Sequence, residues 1–130
     1  MKELTIISPN KVGSLAIISE SLGSVGVNIE AISAYEMNNK AVFRILTTDV
    51  TTAVKAISKL PEFTVSEDEI IVITLSNRPG ELGKITRKLA NRNISLESLY
   101  IFGKKNNETE VAIKPSKSDF GKAKEVLGIK

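Results

Sequence analysis

Two short segments have the residue types and spacing best suited to chemistry: Asn10-Lys11-Val12-Gly13-Ser14-Leu15 and Asn77-Arg78-Pro79-Gly80-Glu81-Leu82. Each places an asparagine shortly before a glycine, and an apolar pattern with helical spacing starts directly afterwards. A glycine beside a helix N-terminus lets another group approach the backbone closely. The first-turn N–H groups there have no intrahelical acceptor and point outward with the positive end of the helix dipole. That arrangement suits a small anion such as a carboxylate. The asparagine side chain can cap the helix or bond a ligand, but not both at full strength.

The composition removes most other chemistry. Among 130 residues there is no histidine, cysteine or tryptophan. His- and Cys-based metal sites, thiol nucleophiles, disulfides and Ser-His-Asp triads are therefore excluded. Catalysis would rest on Lys, Arg, Asp, Glu, Tyr or Ser alone, so a non-catalytic protein without metal or cofactor is expected. The net charge of +3 lies wholly in the second half: residues 1–65 carry six basic and six acidic side chains, and residues 66–130 twelve and nine. No apolar run reaches the roughly 18 residues of a membrane span. The start, Met1 to Pro9, has neither the apolar core nor the cleavage site of a secretory leader, and a cytoplasmic location is expected.

Elements that position the two segments emerge when the sequence is laid over itself. At an offset of 67, Ile6 meets Ile73, Asn10 meets Asn77, Gly13 meets Gly80 and Leu15 meets Leu82. Ile18 then meets Ile85, Leu22 meets Leu89 and Glu30 meets Glu97, with Tyr35 over Phe102. After the loops Met37–Lys40 and Lys104–Glu108 the register slips by one, placing Val42–Ile45 over Glu110–Ile113. The chain is a duplication, with expected units at residues 1–66 and 69–130.

Each copy reads as strand, helix, strand, strand, helix. First strands are expected at Glu3–Ser8 and Glu69–Leu75, and first helices at Val12–Val25 and Pro79–Arg92, whose apolar residues recur every three to four positions. Gly26 and Asn93 stand where those helices should stop, as residues tolerant of the left-handed conformation. Strands at Val27–Tyr35 and Ile94–Phe102 lead to return strands at Ala41–Thr47 and Thr109–Lys114. Second helices begin near Asp49 and Ser118, both good N-caps. The first copy adds a last strand at Phe63–Val65, and the acidic run Glu67-Asp68-Glu69 separates it from the second copy, which has almost no chain left for a matching strand. The fold class is α+β: two ferredoxin-like βαββαβ units with antiparallel sheets and helices on one face, the second lacking a full last strand. The resulting open edge would be covered by Phe63–Val65 or by another molecule, and a homodimer is expected.

With loop, helix and following strand taken together, the chain resembles a tandem pair of ACT domains, small regulatory modules of amino-acid metabolism. The resemblance rests on the two glycine segments and on the strand openings Gly26-Val27-Asn28-Ile29-Glu30-Ala31-Ile32 and Asn93-Ile94-Ser95-Leu96-Glu97-Ser98-Leu99. It implies a non-catalytic sensor that binds a free amino acid or similar small metabolite where the first loop of one domain faces the second strand of its neighbour. The ligand positions it implies are Asn10, Val12, Gly13, Ser14 and Leu15 with Asn28 and Ile29, and Asn77, Pro79, Gly80, Glu81 and Leu82 with Ser95 and Leu96. Loop amides would take the α-carboxylate, and Asn28 or Glu81 the ammonium. The regulated partner would be a separately encoded metabolic enzyme or regulator. Val12 and Ser95 stand where the resemblance expects proline and asparagine, so the two sites should not be equivalent.

Competing readings have less behind them. Lys84, Arg87, Lys88 and Arg92 line one side of a helix, joined by Lys122 and Lys124, and a ferredoxin-like RNA-binding protein using this basic half is the alternative. The basic-glycine-aromatic core of an RNA-recognition strand is absent, however, and nucleic acid is not an expected partner. Arg44 within a strand would suit an acylphosphatase-like anion site, but no phosphate-cradling glycine loop accompanies it, and pairing with a carboxylate across the sheet explains it better. Ile17, on the otherwise polar side of the first helix, hints at an interface.

Overall fold

The computed structural model describes residues 1–129, so Lys130, the last residue of the expected second unit, lies outside the described residues. The chain divides into two compact units, Lys2–Glu69 and Ile70–Lys130, with Met1 grouped with the latter.

In the first unit β1 (Lys2–Pro9), β2 (Ala31–Met37), β3 (Lys40–Leu46) and β4 (Thr64–Glu69) form an antiparallel sheet in the order β2-β3-β1-β4. Alternation along β1 and β3 turns Leu4, Ile6, Ala41, Phe43 and Ile45 to one side. There they pack with Ile18 and Leu22 of α1 (Ser14–Ser24) and Ala53 and Ile57 of α2 (Val50–Ser58). Register agrees with this pattern: Ile6 lies between Phe43 and Val65, so apolar residues of three strands share the helix-covered face. Asn38 and Asn39, at φ 52 and 62, make the tight two-residue hairpin turn between β2 and β3. Asp49 caps α2, its Oδ1 accepting the Thr52 N–H at 3.2 Å. At the end of α1, Gly26 at φ 76 lets its own N–H reach the Gly23 carbonyl while the Val27 N–H reaches that of Leu22. This is the Schellman closure expected of a left-handed residue there.

The second unit repeats the plan with one strand fewer. β5 (Ile71–Ser76), β6 (Leu96–Lys105) and β7 (Glu108–Pro115) form an antiparallel sheet in the order β5-β7-β6. Ile71, Val111 and Ile113 pack with Leu89 of α3 (Glu81–Asn91) and Ala123 of α4 (Phe120–Val126). Ile73 lies opposite Val111 as Ile6 lies opposite Phe43, which is the one-residue slip read from the sequence. Asn93, at φ 55, closes α3 as Gly26 closes α1, through Asn93 N–H to Ala90 and Ile94 N–H to Leu89. The architecture is therefore α+β, two antiparallel sheets with helices on one face of each, the second without a fourth strand among the described residues.

Several expected boundaries move, each for a local reason. Val27–Glu30 is not strand: after the Schellman turn the chain crosses under the helix, with Val27 buried and Ile29 packed on the core, and pairing starts only at Ala31. Glu67-Asp68-Glu69, expected as a separator, is the end of β4, paired with Leu4, Glu3 and Lys2. Lys2 Nζ lies 2.9 Å from Glu67 Oε1, so cross-strand charge pairing holds the acidic run in the sheet. Phe63–Val65 does not cover the second sheet: Thr64 and Val65 pair with Ile7 and Ile6 of the first. Ser118 does not cap a helix but lies inside a 3-10 turn, Lys117–Asp119, that precedes α4.

Candidate functional site: two glycine-led helix starts

Gly13 precedes α1 at φ 92, ψ −3, a conformation that L side chains adopt only with strain, and no side chain caps the helix. The Ser14 N–H and Oγ both donate to the Lys11 carbonyl, at 3.3 and 3.0 Å, which closes the loop on itself. Its first intrahelical bond runs from Ile17 N–H to the Gly13 carbonyl at 3.0 Å. The Leu15 and Ala16 N–H groups are left as the open donors of the first turn. The Asn10 N–H donates to the Asn39 carbonyl at 3.2 Å, tying the loop to the β2–β3 turn. A recess of about 280 Å³ opens here, walled by Asn10, Lys11, Gly13, Ser14 and Leu15 on one side and by Ala34, Tyr35, Ala41 and Phe43 on the other.

The second copy repeats this backbone with different side chains. Gly80 stands at φ 87, ψ −9 before α3, again without a side-chain cap. The Glu81 N–H reaches the Arg78 carbonyl and the Lys84 N–H that of Gly80, leaving the N–H groups of Leu82 and Gly83 open. The Asn77 N–H donates to the Asn107 carbonyl at 2.6 Å, the counterpart of the Asn10 bond. The recess is smaller, about 100 Å³, lined by Asn77, Arg78, Glu81 and Leu82 with Leu75, Ser76, Ile101, Lys104, Thr109 and Val111. Glu81 Oε1 lies 3.1 Å from Lys84 Nζ and 3.4 Å from Arg78 Nη2. The Lys84 hydrogen bond, with the attraction of both cations, holds the Glu81 carboxyl below the usual carboxylate range. That carboxylate is paired with Lys84 and Arg78 on the helix surface.

The helix-start residues thus gather in each unit, and the strand openings do not join them. Asn28 and Ile29 lie beyond the far end of α1, where Asn28 Nδ2 donates to Glu30 Oε1 at 3.3 Å and Ile29 packs on the core. Ser95 donates its N–H to Asp119 Oδ2 at 2.9 Å, and Leu96 packs on the second core. The Ser95 N–H and then the Ser116 hydroxyl keep the Asp119 carboxyl below its ordinary pKa. Val12 projects from the loop tip fully exposed, and Pro79 and Gly80 stand beside the second recess rather than in its wall.

The opposite walls, from Ala34 and Tyr35 to Phe43 and from Ile101 to Val111, were missed as site residues. Their signal was the hairpin register, because a strand end bonded to a hairpin turn brings the turn-proximal residues of both strands beside the helix start. Arg44 is accounted for by structure: its Nη1 lies 3.0 Å from Oε1 of the fully buried Glu3, and its Nε donates to Tyr35 Oη at 3.1 Å. Burial opposes the charged guanidinium, but the Tyr35 and Glu3 contacts outweigh it and raise its pKa. Among the described residues, no cluster of His, Cys, Asp or Glu could hold a metal ion, and no helix is long and apolar enough to cross a membrane.

Residues 70–128 match the ACT domain. Over both units the chain is similar to protein BT0572 from Bacteroides thetaiotaomicron, at 31% identity and a TM-score of 0.85, covering 98% of this chain and 85% of that one. The chain belongs to the ACT-domain family. Its fold is also that of the regulatory subunit of aspartate kinase from Thermus thermophilus in its ligand-free form (14% identity, TM-score 0.68, 98% and 89% covered). The regulatory subunit of aspartate kinase from Thermus flavus is alike to a similar degree (13% identity, TM-score 0.62, 98% and 90% covered). Among curated protein sequences none matches.

Proposed function

We propose that this ACT-domain protein is a non-catalytic sensor that binds a free amino acid at its glycine-led helix starts and regulates a separate protein of amino-acid metabolism by contact. The observation that carries this reading is the recurrence, in two units, of an uncapped helix start with a left-handed glycine, open first-turn N–H groups and an adjoining recess. The α-carboxylate would accept hydrogen bonds from Leu15 and Ala16, or from Leu82 and Gly83, aided by the helix dipole. Asn10 and Asn77, whose side chains are exposed and cap nothing, would bond the same ligand. Asn28, Ile29, Ser95 and Leu96 would contact a ligand only when it is held by the helix start of another ACT unit. Ligand binding that favours one arrangement of units over another would shift the population of the form that acts on the partner.

A thermal-shift screen of the full chain against the twenty common amino acids and their keto acids tests this. A ligand at a hundredfold its dissociation constant adds about 2.7 kcal/mol, several degrees in a domain of this size. Gly80→Val adds a side chain to open space in the protein, so it should abolish the shift arising from the second unit through the ligand contact or the strained backbone. No shift with any compound, together with salt-dependent RNA binding, would overturn the sensor reading.

A further inference from the structure

The two copies share their core residues but not the exposed surface of their first helices. Lys84, Lys88 and Arg92 form a row at i, i+4 and i+8 along α3 and its C-cap, with Arg87 beside it, and all four are exposed. At the matching places α1 and its C-cap have Ile17, Glu20, Ser21 and Val25, without a cation. The repeat therefore folds without such a row. Like charges at these spacings repel within a helix, and the helix dipole favours cations only near the C-terminus. That accounts for Lys88 and Arg92 but not for Lys84 or Arg87. Carboxylates stand at the two ends of the row: Glu81 Oε1 lies 3.1 Å from Lys84 Nζ, and Glu125 Oε1 lies 3.9 Å from Arg92 Nη2. Between them Arg87 and Lys88 have no ion pair among the described residues. The units also differ in charge. Ile70–Lys130 carry twelve cationic and six acidic side chains, a net +6, whereas Lys2–Glu69 carry six and nine, a net −3.

We propose that this basic face of α3 docks an acidic helix of the protein that the chain regulates, a contact that rests on the reading that such a partner exists. The row spans about 12 Å at roughly 1.5 Å per residue. Carboxylates at i, i+4 and i+8 of a partner helix lying along α3 would meet Lys84, Lys88 and Arg92 in turn. Glu81 and Glu125 bound the row and limit the footprint to a segment of that length. A nucleic-acid strand running past either end would meet one of these carboxylates, and α3 has no aromatic residue on which a base could stack. Complementary charge of this kind speeds encounter and selects the partner more than it adds affinity.

The probe is a labelled helical peptide with glutamates at every fourth position along one face, and the control is its sequence isomer with the same glutamates spread around the helix. In fluorescence anisotropy at low salt the full chain should bind the one-faced peptide roughly threefold or more tightly than the isomer, and binding should weaken as salt rises. Arg87→Gln/Lys88→Gln should weaken it roughly fivefold or more. Lys55→Gln/Lys59→Gln, at exposed positions of the first unit, should leave it unchanged. The α3 variant should keep the wild-type circular dichroism spectrum and any amino-acid thermal shift, which separates loss of this face from a failure of ligand binding. Equal binding of peptide and isomer, equal loss in the two double variants, or tighter binding of a single-stranded RNA of the same charge would each overturn the proposal.

Discussion

Glycines three residues apart should respond to alanine with opposite signs. Gly80 precedes α3 at φ 87, whereas Gly83 lies inside the helix. An added Cβ meets no atom within 4 Å at either position, so neither variant clashes with a neighbour. What remains is the backbone. An L residue held in the left-handed region costs about 1–2 kcal/mol, whereas alanine in a helix interior gains roughly 0.5–1 kcal/mol over glycine. Gly80→Ala should therefore destabilise the second unit by about 1–2 kcal/mol, roughly 4–16 °C in a unit this small, and Gly83→Ala should raise its stability. The same pair of signs is expected in the first unit for Gly13→Ala, at φ 92, against Gly23→Ala. Gly80→Asn should fall between glycine and alanine, because asparagine tolerates the left-handed region better. Thermal and urea unfolding of the full chain, followed by circular dichroism, measures all of these. If Gly80→Ala matches wild type while Gly83→Ala does not stabilise, or if asparagine is no better than alanine, the strained-loop account of the helix start is wrong.

Three further outcomes follow from the geometry. Arg44→Met removes the 3.0 Å guanidinium contact of the buried Glu3 carboxylate and should destabilise the first unit by about 1–3 kcal/mol; adding Glu3→Gln should recover part of that loss in urea unfolding, and a purely additive double variant would refute the pairing. Because its folded pKa is depressed, Asp119 contributes stability that is present above its ordinary pKa and lost as pH falls through the lower folded value. Asp119→Asn should therefore flatten the acid limb of the second unit's stability curve, and a limb of unchanged steepness would count against the Ser95 and Ser116 bonds as its cause. In the second recess, Arg78 and Lys104 are the groups that suit an anionic side chain, so Lys104→Gln should weaken binding of an acidic amino acid in calorimetry more than binding of a neutral one. Equal loss for both would remove Lys104 from the recess chemistry.

Much of the fold was legible because the sequence states it twice. Ile6 and Ile73, Ile18 and Ile85, and Leu22 and Leu89 sit at matching places in the two units, and Gly26 and Asn93 close the helices they follow in the expected manner. What misled was local composition set against pairing geometry. Val27 and Ile29 have strand-forming side chains, but the Schellman turn at Gly26 sends them under α1, and hydrogen bonding to β3 begins later. Glu67-Asp68-Glu69 has the composition of a linker, but alignment with Lys2–Leu4 makes it strand. The helix-start half of each recess was legible from the glycine segments. The opposite half was not, because Ala34, Phe43, Ile101 and Val111 look like ordinary strand residues until the hairpin register sets them beside the helix start.

The identities shared by the two copies can be sorted by what the fold asks of each. Ile6, Ile18 and Leu22 and their counterparts Ile73, Ile85 and Leu89 are explained by core packing, and Gly13 and Gly80 by their positive φ. Glu30 accepts a hydrogen bond from Asn28, and Glu97 lies 3.6 Å from Lys114, so each has a local partner. Asn10 and Asn77 are different: both side chains are exposed, neither caps its helix, and only their backbone N–H groups are used, a task any residue but proline could perform. Burial, capping and chain reversal therefore leave the two asparagine amides unexplained. Each stands at the rim of a recess beside open first-turn donors. An amide supplies both a donor and an acceptor there, which is what a zwitterionic ligand requires from the side chain nearest its charged end.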